Sequence, residues 1–108
     1  MTRTPLPAVL LLAACTVAEA DNWALEGETW ARPRSGEAVL QMPAVGAAVR
    51  AWQQRPGARI VLRYPGGEEG ALWAGELRDW LVALGVASAD IASVPGGLRA
   101  DALILEVH

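Results

Sequence analysis

Twelve carboxylates and nine arginines are the main chemical equipment of this chain, and their spacing limits what they can do. Glu68 and Glu69 follow Pro65-Gly66-Gly67, with Arg63 before the loop and Arg78 after it. The two glutamates could meet an ammonium group, and Arg63 or Arg78 a carboxylate, as charge-assisted or bidentate pairs. A simpler reading takes precedence. Acids at the start of a helix are favoured by its dipole and need no ligand. Adjacent glutamates are also poorly placed to converge as an acid/base pair. Other catalytic equipment is sparse. The one histidine, His108, is the last residue and is expected to fray. Ser35, Ser88 and Ser93 have no neighbouring histidine to activate them, and there is no lysine. No His/Cys cluster could hold zinc. Gly66-Gly67 and Gly96-Gly97 read as tight turns, because neither has the Lys or Gly spacing of a phosphate loop. The expectation is a protein that is not an enzyme and uses neither cofactor nor metal.

Cys15 is the remaining reactive group, and its context is an export signal. Arg3 supplies a thin positive region, and Leu6 to Ala14 is almost wholly apolar. That run is far shorter than the roughly 20 residues a spanning helix needs, and it fits the apolar part of a signal peptide. It ends in Leu12-Ala13-Ala14-Cys15, which resembles the lipobox of bacterial lipoproteins. The resemblance implies cleavage before Cys15 and lipid on its sulfur and new N-terminus. Thr16, rather than Asp, after the lipid site points to the outer membrane by the habit of that class. Ala18-Glu19-Ala20 offers a rival, ordinary cleavage site that would discard Cys15 and release a soluble or secreted domain. The lipoprotein reading ranks first because the apolar run is short and abuts the only cysteine. A buried N-terminal helix ranks last, since Pro5 and Pro7 interrupt it. The first expectation is thus a signal peptide over residues 1–14 and an anchor at Cys15.

Composition narrows the partners. The chain has 108 residues, so processing leaves one small domain. Without Arg3, eight arginines face twelve acids, a net charge of −4. That balance argues against nucleic acid, which needs a basic footprint, and against a polybasic grip on lipid. A single cysteine excludes an intrachain disulfide, so packing must supply stability.

Elements that could position these groups follow from periodicity. Residues 15–27 read as an acidic tether, and residues 28–108 as the domain. Glu28 to Arg34 reads as a first strand around Trp30, limited by Pro33, and Ser35-Gly36-Glu37 as a turn. Pro43 to Arg55 is a helix with Pro43 in its first turn and Val45, Ala48, Val49 and Trp52 on one stripe. Arg59 to Tyr64 is a strand. Gly70 to Leu84 is a second helix, with Trp73, Leu77, Trp80, Leu81 and Leu84 on its apolar face and Gly85 as its cap. Ile91 to Val94 is a short strand, and Ala102 to Val107, almost entirely apolar, belongs inside the sheet. The prediction is an α/β (α+β) fold, β-α-β-α-β-β, with a small mixed sheet and two helices on one face. Trp30, Trp52, Trp73 and Trp80 are expected in the core.

The same order and several strings resemble the C-terminal domain of the outer-membrane protein A (OmpA) family across about residues 28 to 107. The string from Trp73 to Val86 is similar to that family's signature helix, with Ala74, Leu77, Trp80, Leu81, Gly85 and Val86 matching in kind. Gln54 to Leu62, Gly36 to Leu40, and Ala89-Asp90-Ile91 with Pro95-Gly96-Gly97 resemble flanking segments. The resemblance implies peptidoglycan binding, through an Asp after the second strand and an Arg opening the second helix that clamp diaminopimelate. Here Trp73 stands at the Arg position, and Pro65-Gly66-Gly67-Glu68-Glu69-Gly70 contains no Asp. Only Leu98 to Asp101 separate Gly97 from the last strand, where the family has a longer excursion. No ligand-binding residue carries over. Arg63, Glu68, Glu69 and Arg78 are the only charges nearby that could rebuild a clamp, so peptidoglycan is possible but disfavoured. The functional expectation is a non-enzymatic periplasmic envelope lipoprotein, a structural or protein-interaction module held to the membrane by N-terminal lipid. The alternatives are weak peptidoglycan binding through a rebuilt site, or a soluble secreted accessory subunit of a secretion or pilus machine.

Overall fold

The computed structural model of the protein describes residues 21–32 and 34–108. The signal peptide, Cys15 and residues 16–20 of the expected tether lie outside the described residues. Four helices and a four-stranded mixed sheet make a small α/β fold. In chain order they are β1 (Asp21–Glu26), α1 (Gly27–Trp30), α2 (Gly36–Gln41), α3 (Pro43–Gln54), β2 (Ile60–Tyr64), α4 (Glu68–Ala83), β3 (Ile91–Pro95) and β4 (Ala102–Val107). A single 3-10 turn, Ser88–Asp90, leads into β3.

The sheet order is β1-β4-β2-β3. β4 runs antiparallel to both neighbours, with Val107 opposite Asp21 on one side and Ile60 on the other. β2 and β3 are parallel, Ile60 opposite Ile91, as the intervening α4 crossover requires. Side chains alternate across the sheet. Leu25, Leu62, Leu103 and Leu105 point into the core and are at most 1% exposed. α3 covers β1 and β4 while α4 covers β2 and β3, so the helices share one face. The other face is open and carries Val61, Arg63, Ile104 and Glu106.

Several local expectations need correction. Residues 21–26 are the first strand rather than the end of a tether. Only Leu25 of that strand is fully buried, so its alternation is too weak to read against two acids and an asparagine. Glu28 to Arg34 is not a strand. Gly27–Trp30 forms one helical turn that folds Trp30 into the core, 6% exposed. Ser35 is a helix cap rather than a turn residue, its Oγ accepting the Ala38 N–H at 3.1 Å. On α4 the buried stripe is Gly70, Ala74, Leu77 and Leu81. Trp73, Trp80 and Leu84 flank it, and Trp52 flanks the stripe of α3, so these aromatics pack against the core without entering it. Their volume is the reason: a ring beside a small residue such as Ala74 covers the core edge while the small residue lets helix and sheet approach. His108 does not fray. Its backbone N–H and carbonyl exchange 2.9 Å hydrogen bonds with Arg59.

α4 starts and stops as its glycines dictate. A Cβ on Gly70 would lie 1.6 Å from the Pro65 carbonyl oxygen, so only glycine lets the loop close on the first turn. Gly85 at φ +104° ends the helix. Val86 N–H then reaches the Leu81 carbonyl at 3.0 Å, and Val86 itself is 2% exposed.

Leu77→Ala should cost about 2–5 kcal/mol, since Leu77 is fully buried between α4 and the sheet. Leu72→Ala, one helical turn away and 65% exposed, should change stability by less than about 0.5 kcal/mol. Urea unfolding midpoints measured side by side check both, and similar losses at the two positions would contradict the stripe.

Candidate functional site

Three loops meet at the end of the sheet where β1 and β2 finish and β4 begins. They enclose a cleft of about 950 Å³, walled by Glu26, Glu28, Glu69, Trp73, Arg99 and Asp101 among others. Its floor is set by backbone. The Gly27 N–H donates to the Asp101 carbonyl at 2.8 Å, and the Gly96 and Gly97 N–H groups both reach the Tyr64 carbonyl, at 3.2 and 3.1 Å. The benzo edge of Trp73 lies beside Gly27, where a Cβ would sit 3.8 Å from the ring.

Arg99 organises the charge. Its guanidinium donates two bonds to Glu26, at 2.9 and 2.8 Å, and two to Asp101, at 3.1 and 3.2 Å. The hydrogen bonds from Arg99 hold the Asp101 carboxyl below its ordinary range. Glu28 and Glu69 have no ion-pair partner among the described residues. The cleft therefore presents two unpaired carboxylates and a cation already engaged. The Trp73 Nε1–H is enclosed and unpartnered, so the ring offers the cleft apolar surface rather than a donor.

Of the four predicted binding residues, only Glu69 lines this cleft, with Glu68 beside it at the exposed start of α4. Arg63 lies on the open sheet face, ion-paired with Glu106, which also sits 3.0 Å from His108 Nε2. A second cavity there, about 510 Å³, shares only Gly97, Leu98 and Arg99 with the cleft. Arg78 is farther down α4, with its guanidinium 3.5 Å from the Ser88 carbonyl. The four charges are thus not gathered into one clamp. Glu26, Glu28, Arg99 and Asp101 escaped the sequence reading. Arg99 and Glu26 are 73 positions apart, and neither stands in a local pattern.

A second charged cluster ties α1 to α4. Arg34 stacks 4.5 Å from the Trp30 ring, and Glu76 accepts from both Trp30 Nε1 and Arg34, at 3.4 and 3.5 Å. It is a packing device at the edge of the core. Among the described residues no group of three or more His, Cys, Asp or Glu side chains is placed to hold a metal, and no helix is long and apolar enough to cross a membrane. Compared with family models, curated proteins and solved structures, the chain gives no match.

The Arg99 clamp makes loop order depend on pH. Folding lowers the Asp101 pKa, so its contribution is fully present above the ordinary carboxylate range and is lost as pH falls through the lowered value. As pH falls from neutral to below the ordinary carboxylate range, amide protection at Gly27 and Leu98–Asp101 should drop before that of β2 and β4. Asp101→Asn should loosen the loop at neutral pH and flatten this response. Hydrogen-exchange protection factors measure it, and a wild-type loop equally protected at both ends of this pH interval would refute the clamp.

Proposed function

We propose that the chain is a non-enzymatic lipoprotein of the bacterial cell envelope, anchored by Cys15, whose divergent OmpA-like domain serves as a structural or protein-interaction module. One observation carries the reading: Leu12-Ala13-Ala14-Cys15 closes a short apolar run, and the first strand starts at Asp21, so anchor and domain nearly abut. The β-α-β-α-β-β order supports the OmpA-like part, with two short helices added after β1. The placement is periplasmic, on the outer membrane. Labelling cells with a radioactive fatty acid should mark the wild type and leave Cys15→Ser unmarked. A mature N-terminus at Asp21 by mass spectrometry would overturn the anchor. It would favour the second reading, a soluble secreted domain, because cleavage after Ala20 removes nothing from β1.

Peptidoglycan remains a minor alternative. A diaminopimelate clamp needs an acid and a bidentate arginine at fixed spacing. The arginine in the cleft is engaged by Glu26 and Asp101, and Arg63 and Arg78 are elsewhere. The mature protein should not sediment with purified sacculi at physiological salt, or only weakly. Saturable sedimentation abolished by a diaminopimelate-containing peptide would reverse this ranking.

A further inference from the structure

We infer that the domain held at Cys15 stands on the lipid surface by the end that carries Arg55, Arg59 and Asp90, and turns its acid-walled cleft away from the membrane. The inference rests on the Cys15 anchor proposed above and adds an orientation to it.

The two ends of the sheet differ in charge. At the end where β1 begins, Asp21 pairs with Arg55 at 3.3 Å, Arg59 is bound through its backbone to His108, and Asp90 accepts from Trp52 Nε1 at 3.2 Å. Two arginines there balance two carboxylates, and Glu106, one residue in on β4, is ion-paired with Arg63. The cleft at the opposite end is lined by Glu26, Glu28, Glu69 and Asp101, with Glu68 beside it, and Arg99 is the one cation in its lining. An anionic headgroup layer repels the second end and tolerates the first. Trp52, Pro56 and Gly57 add some uncharged surface to the near end, where they border a shallow depression. Interfacial tryptophan suits headgroup depth.

Chain connectivity acts in the same sense. Five residues, Thr16 to Ala20, separate Cys15 from β1. Cα of Cys15 can lie at most about 22 Å from Cα of Asp21. Five Cα steps of strand carry the chain about 17 Å from Asp21 to Glu26. The cleft end can meet the lipid only with the linker stretched over most of its reach. The opposite orientation leaves the linker slack, and slack retains entropy. Electrostatics and connectivity therefore select one pose, and the cleft opens toward the periplasmic space.

The test uses the chain from Cys15 onward, which contains every described residue. It is coupled through the Cys15 thiol to a maleimide lipid in nanodiscs of phosphatidylcholine and phosphatidylglycerol that also hold a gadolinium-chelating lipid. Chemical coupling makes the result independent of acylation in cells, so a failure here leaves the anchor itself to the fatty-acid experiment. Amide signals of Gln53–Gly57, Asp90 and His108 should broaden several-fold more than those of Glu28, Gly66–Gly67 and Leu98–Ala100. In nanodiscs of phosphatidylcholine alone the contrast should shrink. Equal broadening at both ends, or stronger broadening around the cleft, would overturn the orientation. A contrast indifferent to lipid charge would overturn its electrostatic basis.

Discussion

Insertion of the last strand between the first and second strands is the constraint on which the rest of the structure depends. Among the described residues β1 has no hydrogen-bonded neighbour except β4, and β2 joins β1 only through it. Leu103, Leu105 and Val107 are fully buried under the helices. Their burial therefore stabilises pairings contributed by both ends of the chain. Contacts of such long sequence separation close large loops, and that closure costs chain entropy which the buried leucines must offset. β2 and β3 pair directly under α4, but β1 and the α3 layer are joined to them in the sheet only through β4.

The same insertion decides where the chemistry lies. Because β4 is antiparallel to β1 and β2, its start lies beside the ends of both, Ala102 opposite Glu26 and Ile104 opposite Arg63. The loop before β4 thus lands beside Glu26, Gly27 and the loop that starts α4. Glycine permits the approach: Gly70 closes on the Pro65 carbonyl, and Gly27 fits between Asp101 and the Trp73 ring. Arg99 then locks the loop to β1 through Glu26. A cleft forms as a consequence of strand order, and its acidity follows from which loop residues that order assembles.

Much of this was legible in the sequence where periodicity was strong. α3, β2, β3 and β4 are found within about two residues of their expected bounds, because Pro43, the Pro56-Gly57 stop and the apolar runs are unambiguous signals. β1 was illegible for a physical reason. An edge strand needs few buried residues, and Asp21-Asn22-Trp23-Ala24-Leu25-Glu26 buries only Leu25 fully. Trp30 is in the core as expected, whereas Trp52, Trp73 and Trp80 stop at its edge. They do lie toward the core side of their helices, but Ala74 and Gly70 allow close helix–sheet contact that a ring at Trp73 or Trp80 would prevent. The cleft was hidden because its defining ion pair joins residues from the two ends of the chain. Arg63, Glu68, Glu69 and Arg78, though close in sequence, are dispersed by a strand that sends Arg63 to the open face and a helix that carries Arg78 away.

The engagement of Arg99 bears on what the cleft can accept. A carboxylate ligand would have to replace Glu26 or Asp101 at the guanidinium. Both are attached to the same chain and already oriented, so they compete at a high effective concentration. Displacing either would also leave a third unpaired carboxylate beside Glu28 and Glu69, a cost that grows as water is excluded. A cationic group faces neither obstacle, since Glu28 and Glu69 have no ion-pair partner among the described residues and are exposed to solvent at the cleft wall. Arg99, whose guanidinium could otherwise face an acidic ligand, instead holds the last loop against the first strand. Its role is structural, and the chemical character of the cleft is set by the carboxylates it leaves unmatched.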